Sequence, residues 1–408
     1  MSSASVRRES IITAWYRALH RVVLHGSYRP EVDGLRFLAI IFVIVGHLME
    51  HVVHEVGRVR PLTASEGLLA RLLPAAQTGV LLFFAISGYI LAAQFKRRWL
   101  RKERLAYGQY FHRRLVRIAP PYLVVLILGN LAILVAPSLS KVSGGNFLPH
   151  LIGSMLYVHG IVFGELPRGF PPGWSLEIEV QFYLVAPFLF FAYFSLRPRG
   201  SEFLIGIITT ILFACWMILG QYLFGEVGRY YFAFPKFLGF FWIGLWLADL
   251  YPDAVTDRPG AFDPIDALGL LALALLTAFG TLTHFISNWN VVAAVEVARM
   301  LAVLLVFLAA IRGQFFRRLF SLRLVAFLGS ACYSFYLVHL QIVQIMTTVL
   351  VNILGAHSVG GLYCLLLLVE TPVIVTAGLI FYGVIERPFQ LGDPLSILLR
   401  KKRLQSSR

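Results

Sequence analysis

Long apolar runs recur along this chain from about residue 35 to residue 385, and they constrain its fold more than any other feature. A run of about 20 apolar residues crosses the hydrocarbon core of a bilayer as a helix. Inside that core only structures that satisfy their own backbone hydrogen bonds are viable. Spans are expected near 35–54, 77–95, 116–136, 174–196, 203–224, 231–250, 265–285, 291–311, 325–350 and 362–384. The composition agrees: 58% of residues are hydrophobic and 14% charged, where a soluble domain carries about 25% charged. No gap between runs exceeds roughly 40 residues, well below the size of a folded domain. The expected class is therefore an all-α, polytopic integral membrane protein. Its parts are a cytoplasmic N-terminal segment 1–34, a transmembrane domain 35–390 and a basic cytoplasmic tail 391–408. No small-residue cleavage site follows the first run, so that run reads as a retained helix.

The net charge of +15 over 408 residues would suggest nucleic acid in a soluble protein. Here Lys and Arg gather at the ends of apolar runs, where they set topology, and no nucleic-acid partner is expected. Cys215, Cys332 and Cys364 all lie inside apolar runs with no metal-ligand spacing. They read as packing residues, and no disulfide framework or metal is expected.

One run is ambiguous. Residues 148–163 contain His150 and His159 and are short for a span. Nine basic residues between Lys96 and Arg117 place that segment in the cytoplasm. If 148–163 crossed, the clusters Arg197/Arg199 and Arg312/Arg317/Arg318/Arg323 would face outward. If it is re-entrant or interfacial, every cluster faces inward, together with the tail at Arg400–Arg403. The second arrangement is expected: ten transmembrane helices, one re-entrant or interfacial segment and both termini cytoplasmic.

Charge inside a bilayer is expensive and usually functional. Eleven residues separate Arg36 from His47 on the first helix, a rise of roughly 16 Å and close to three turns, so the two share a face. In the ten-helix arrangement Glu177, Glu179, Lys236, Glu296, Arg299 and Glu370 all fall toward the outer side, and the large basic clusters line the inner rim. Plainer readings stand beside these: Arg36 as a topology anchor, Glu296 with Arg299 as a structural ion pair, Lys236 snorkelling to the surface.

Several stretches carry a resemblance when taken in order. They are Tyr28-Arg-Pro-Glu-Val-Asp-Gly-Leu-Arg36 with His47, Phe83-Phe-Ala-Ile-Ser-Gly-Tyr89, Arg113-Arg-Leu-Val-Arg-Ile-Ala-Pro-Pro-Tyr122, Trp174-Ser-Leu-Glu-Ile-Glu-Val-Gln-Phe-Tyr183, Tyr333-Ser-Phe-Tyr-Leu-Val-His339 and Ile385-Glu-Arg-Pro-Phe389. From about residue 28 to 390 the chain resembles the acyltransferase-3 family of membrane-bound acyltransferases. The resemblance implies ten core helices and O-acylation, commonly O-acetylation, of carbohydrates, with acetyl-CoA as the usual donor. It carries the family's basic residue and histidine onto Arg36 and His47, and its arginine-rich stretch onto Arg114 and Arg117. Two places depart from the pattern. Leu81 stands where the family often has an acid, and Glu179 is followed by Val180 where two adjacent acids are common.

The chemistry fits these residues. Acyl transfer to an alcohol needs a base for the hydroxyl proton, and His47 is the candidate. A carboxylate would orient it, with Glu179 first and Glu177 and Asp33 as alternatives. Arg36, Arg113, Arg114 and Arg117 would hold the phosphates of an acyl-CoA through charge-assisted hydrogen bonds. Trp174, Tyr183 and Lys236 are candidate contacts for a carbohydrate or glycolipid acceptor. Trp174 and Tyr183 read equally well as interfacial aromatics, and His339 as a packing residue. The expected setting is a bacterial cytoplasmic (inner) membrane. A transporter or flippase for a sugar-linked substrate is the competing reading; it predicts inverted repeats, and none is evident in the sequence.

Overall fold

The computed structural model describes residues 29–135, 147–224, 228–251, 262–282, 289–355 and 358–390. The tail 391–408 and most of the N-terminal segment 1–34 lie outside these residues. Among the described residues the secondary structure is helical, and nine helical stretches are long and apolar enough to cross a membrane.

Helix α1 (Pro30–Val59) is 30 residues long, about 45 Å at 1.5 Å per residue, and exceeds the hydrocarbon core. Pro30 starts it at a position where a missing N–H costs nothing, and Glu31 and Asp33 complement the dipole of its first turn. A short helix α2 (Ala64–Leu72), opened by a Thr63–Glu66 capping box, leads into α3 (Ala76–Leu100). Helix α4 (Tyr107–Val135) continues through Pro120 and Pro121.

The ambiguous run is not one spanning helix. It forms α5 (Phe147–Met155) and α6 (His159–Phe163), separated by a turn in which Tyr157 has φ of 60°. At 9 and 5 residues, neither reaches more than about 14 Å.

Then follow α7 (Gly173–Leu196), α8 (Glu202–Phe224), a 3-10 turn at Arg229–Phe232 and α9 (Phe234–Leu250). Helix α10 (Pro264–Leu282) occupies the seventh expected span. Its apolar stretch, Pro264–Phe279, is shorter than the nine, and residues 283–285 of that span lie outside the described residues. After α11 (Trp289–Arg312) and α12 (Gln314–Phe320), the run expected as one span at 325–350 divides into α13 (Arg323–Ser330) and α14 (Cys332–Leu354). Gly329 lies so close to α1 that a Cβ there would sit 1.7 Å from the Asp33 carbonyl oxygen. Helix α13 is thus held against the start of α1, and the chain turns before α14. Helix α15 (Val359–Phe381) ends in a π-segment, Tyr382–Glu386, and a final turn α16 (Arg387–Gln390). The wider turn falls just before Pro388, which cannot donate to the preceding carbonyls.

Helix α1 packs against α3, α13, α14 and α15, and α3 packs against α9. The α3–α9 contact rests on reciprocal glycines. A Cβ at Gly88 would lie 2.1 Å from the Phe241 carbonyl oxygen, and one at Gly244 would lie 1.9 Å from that of Ala85. In a bilayer, where apolar burial drives little, such backbone approach is a main source of helix association. At one end of the bundle Asp249 is fully buried, 2.9 Å from Lys96 Nζ and 3.1 Å from Arg197 Nε, and it accepts a 2.7 Å hydrogen bond from Tyr193. That pairing joins α3, α7 and α9 where the basic residues cluster.

Candidate active site

Helices α1, α3, α4, α7 and α14 surround a cavity of about 110 Å³, room for several waters or a small polar group. Its polar lining includes Arg36, Arg114, Arg117, Glu179, Tyr183 and Tyr336, with Ser87 and Cys332 beside them, and apolar side chains of α3 such as Phe83 and Ile86 supply much of the rest. Arg36 Nη1 is 2.5 Å from Asp33 Oδ1 one turn earlier on α1. Glu179 accepts hydrogen bonds from Ser87 Oγ at 2.7 Å and from the Tyr183 hydroxyl at 2.5 Å. Arg114 donates to Gln94 at 2.5 Å, and its guanidinium lies 6.0 Å from the Tyr183 ring centroid. Three guanidinium groups face the cavity, and Glu179 is the carboxylate on its wall.

Helix geometry sorts the residues expected at this site. Arg114 and Arg117, three apart, share a face of α4 and line the cavity. Arg113 lies about 100° away and is exposed. Glu177 and Glu179, two apart, point away from one another. Glu177 is buried on the other side, where its Oε2 accepts from the Gly160 amide at 2.8 Å. Trp174 packs among Phe84, Tyr231 and Phe237, with ring centroids 5.6–6.4 Å away. Lys236 Nζ sits 4.2 Å over the Tyr231 ring. Trp174 and Lys236 therefore form an aromatic group beside the cavity rather than part of its lining. Glu296 and Arg299 do pair, at 2.6 Å.

His47 sits about three turns beyond Arg36 on the same helix. Its Nδ1 is 2.9 Å from Glu50 Oε2; a carboxylate accepts, so Nδ1 donates, and in the neutral imidazole Nε2 then presents the lone pair. The partner of His47 is thus Glu50, one turn along α1, and not Glu179, Glu177 or Asp33, each of which is engaged elsewhere. The His47 ring stacks on His339, centroids 5.4 Å apart and planes at 27°. His339 donates from Nδ1 to the Tyr336 carbonyl at 2.8 Å, and its buried Nε2 has no hydrogen-bond partner. Tyr336 in turn donates to the Pro172 carbonyl at 2.6 Å and faces the cavity. A line of side chains therefore runs from the arginine cavity through Tyr336 and His339 to His47 and Glu50.

The Acyl_transf_3 family model, described as an acyltransferase domain, matches residues 29–385. The chain belongs to this acyltransferase family. It is similar to the peptidoglycan O-acetyltransferase OatA of Listeria monocytogenes serovar 1/2a, 25% identical over 344 residues, covering 79% of this chain and 51% of that protein. It is also similar to the O-acetyltransferase OatA of Staphylococcus aureus strain MRSA252, 22% identical over 395 residues, covering 93% of this chain and 60% of that protein. The chain thus spans about half to three-fifths of the length of these relatives. No solved structure matches.

Within the family fold, sequence reasoning missed four features. Glu50 was legible as an acid one turn after His47. Tyr336 and Ser87 lie inside the quoted motifs, but nothing local marks them as cavity residues. Glu386, in the π-segment, is fully buried and accepts from Ser334 Oγ and Gln390 Nε2, both at 2.5 Å. The fourth is a group of His150, His159 and Glu165 on the α5–α6 turn, whose ligand atoms lie within 4.8 Å of one another. Burial holds both imidazoles below the ordinary histidine pKa. Their separations along the chain match no metal motif; the turn brings them together.

Proposed function

We propose that this protein is a membrane O-acyltransferase that moves an acyl group, acetyl in the first instance, from a cytoplasmic acyl-CoA to a hydroxyl of a cell-surface carbohydrate or glycolipid. The observation that carries this reading is helix α1. It presents Arg36 to a cavity with two further arginines, and one face along it presents His47 backed by Glu50. The names of the relatives support the acetyl group and make peptidoglycan the first acceptor to test.

In this reading the phosphates of the donor bind Arg36, Arg114 and Arg117, and the thioester arm runs past Tyr336 toward His47. The acceptor hydroxyl oxygen attacks the thioester carbonyl carbon while its proton passes to His47 Nε2. Glu50 holds the tautomer and stabilises the imidazolium. As the tetrahedral intermediate collapses, the carbon–sulfur bond breaks and the leaving thiolate takes the proton from His47. The ester and free CoA remain, and the histidine is neutral again. The N-terminal end of α1 and the basic segment before α4 face the cytoplasm of a bacterial cell, and the acceptor approaches from the outer side.

The test is turnover by the purified protein in nanodiscs, with acetyl-CoA labelled in the acetyl group and a panel of glycans including peptidoglycan fragments. Label on the glycan with matching release of CoA is expected. Translocation of a glycan with the thioester intact would contradict the proposal and favour a transporter.

A further inference from the structure

Away from the arginine cavity, two imidazoles and a carboxylate converge where α5 turns into α6. We propose that His150, His159 and Glu165 form a binding site for a divalent transition ion, zinc by the chemistry of its ligands. His150 Nδ1 lies 2.8 Å from His159 Nε2 and 3.3 Å from Glu165 Oε1. Zinc bonds of 2.0–2.2 Å in a tetrahedron set ligand atoms roughly 3.3–3.5 Å apart. To admit the ion the two imidazoles would part by about half an ångström, and the half-exposed Glu165 side chain would swing in toward His159, the three ligand atoms now lying within 4.8 Å of one another.

The surroundings are those of a metal site as well. His159 Nδ1 is 3.2 Å from the Glu165 backbone carbonyl. A carbonyl only accepts, so Nδ1 carries the proton and Nε2 offers its lone pair toward the other two ligands. A second-shell carbonyl of this kind commonly orients a ligating histidine. Gly164, at φ of 73°, turns the chain so that Glu165 supplies both that carbonyl and its own carboxylate. Phe163 stacks on His150 at 4.1 Å and lies 4.9 Å from His159, fixing both rings. Both histidines are buried, while the Glu165 side chain is half exposed, so a fourth position opens to water. Two imidazoles with one carboxylate suit zinc rather than calcium or magnesium, which prefer oxygen. Arg168 Nη2, 3.4 Å from Glu165 Oε1, competes with the ion for that carboxylate.

The site has a structural consequence. The Gly160 amide, next to His159, donates to Glu177 on α7. An ion joining His150, His159 and Glu165 would fix α5 and α6 to each other and hold both against the N-terminal part of α7 at Glu177, the helix that carries Glu179 and Tyr183 to the cavity.

Tag-free protein in detergent, stripped with a chelator, is titrated with Zn²⁺ against a chromophoric chelator and separately with Co²⁺. We expect one ion per chain and the visible absorption bands of four-coordinate cobalt. His150→Ala and His159→Ala each weaken binding at least tenfold, and acidification below pH about 6 weakens it as protons compete for the imidazoles. Arg168→Ala tightens binding, a gain that misfolding cannot imitate. A wild-type cobalt spectrum identical to that of the hydrated ion would overturn the site and leave a plain His150–His159 hydrogen bond. Unchanged affinity in His159→Ala, or in Arg168→Ala should the histidine variants not fold, would do the same.

Discussion

At the scale of single residues, the account turns on direction along helices. Four guanidinium groups at 36, 113, 114 and 117 are indistinguishable by residue type, and only the 100° step of a helix separates them. Arg114 faces the cavity and Arg113 does not. A hydrogen bond to a charged group contributes about 1.5–3 kcal/mol, so Arg114→Ala is expected to raise the KM for acyl-CoA by roughly 10- to 100-fold. Arg113→Ala should change it less than about twofold, within the small effects of surface substitutions. Equal losses in both variants, measured by donor titration of initial rates, would mean that the cavity is not the donor site. The partner of His47 shows where sequence reading stops. A carboxylate three residues away is readable from spacing, but the acids inside the quoted motifs drew the assignment to Glu179. The tertiary arrangement gives Glu179 to Ser87 and Tyr183 instead.

At the scale of elements, periods of apolar residues marked most of the helices, because a bilayer leaves the backbone few alternatives. Two places escaped. The run 325–350 reads as one predominantly apolar span, yet it breaks at Ala331 where close backbone approach holds α13 on α1. The α5–α6 turn depends on a left-handed Tyr157 and on contacts far away in sequence. Neither has a local signal. The Gly88–Gly244 approach of α3 and α9 gives the element-scale prediction. Gly244→Leu places a side chain where even a Cβ meets backbone atoms at 1.9–2.4 Å, and overpacking of this kind costs about 1–3 kcal/mol or more. A thermal melt of the detergent-purified variant should shift down by several degrees with loss of monodisperse protein. A melt matching wild type would show that the two helices do not meet there.

At the scale of the whole molecule, charge distribution carried the topology argument. Basic clusters gather at helix ends, and with 148–163 not forming a spanning helix, ten crossings would put them all on one side. On this account a cysteine placed at Arg101, in an otherwise cysteine-free protein, reacts with an impermeant thiol reagent only after the cell is opened. One placed at Leu166 reacts in intact cells. The reverse pattern would invert the orientation and, with it, the side from which the donor enters.

The most direct test of the central claim, that His47 is the base of a transacylation, is single-turnover acetyl transfer in nanodiscs by wild type, His47→Ala and Glu50→Gln under saturating labelled acetyl-CoA. The account predicts that His47→Ala lowers the transfer rate by about 10²–10⁴-fold, the usual contribution of a positioned base, while donor binding stays intact. Glu50→Gln should fall between the two, since it keeps the shape of the partner and removes its charge. Transfer by His47→Ala at the wild-type rate would contradict the claim outright, even with the arginine cavity and the family assignment unchanged.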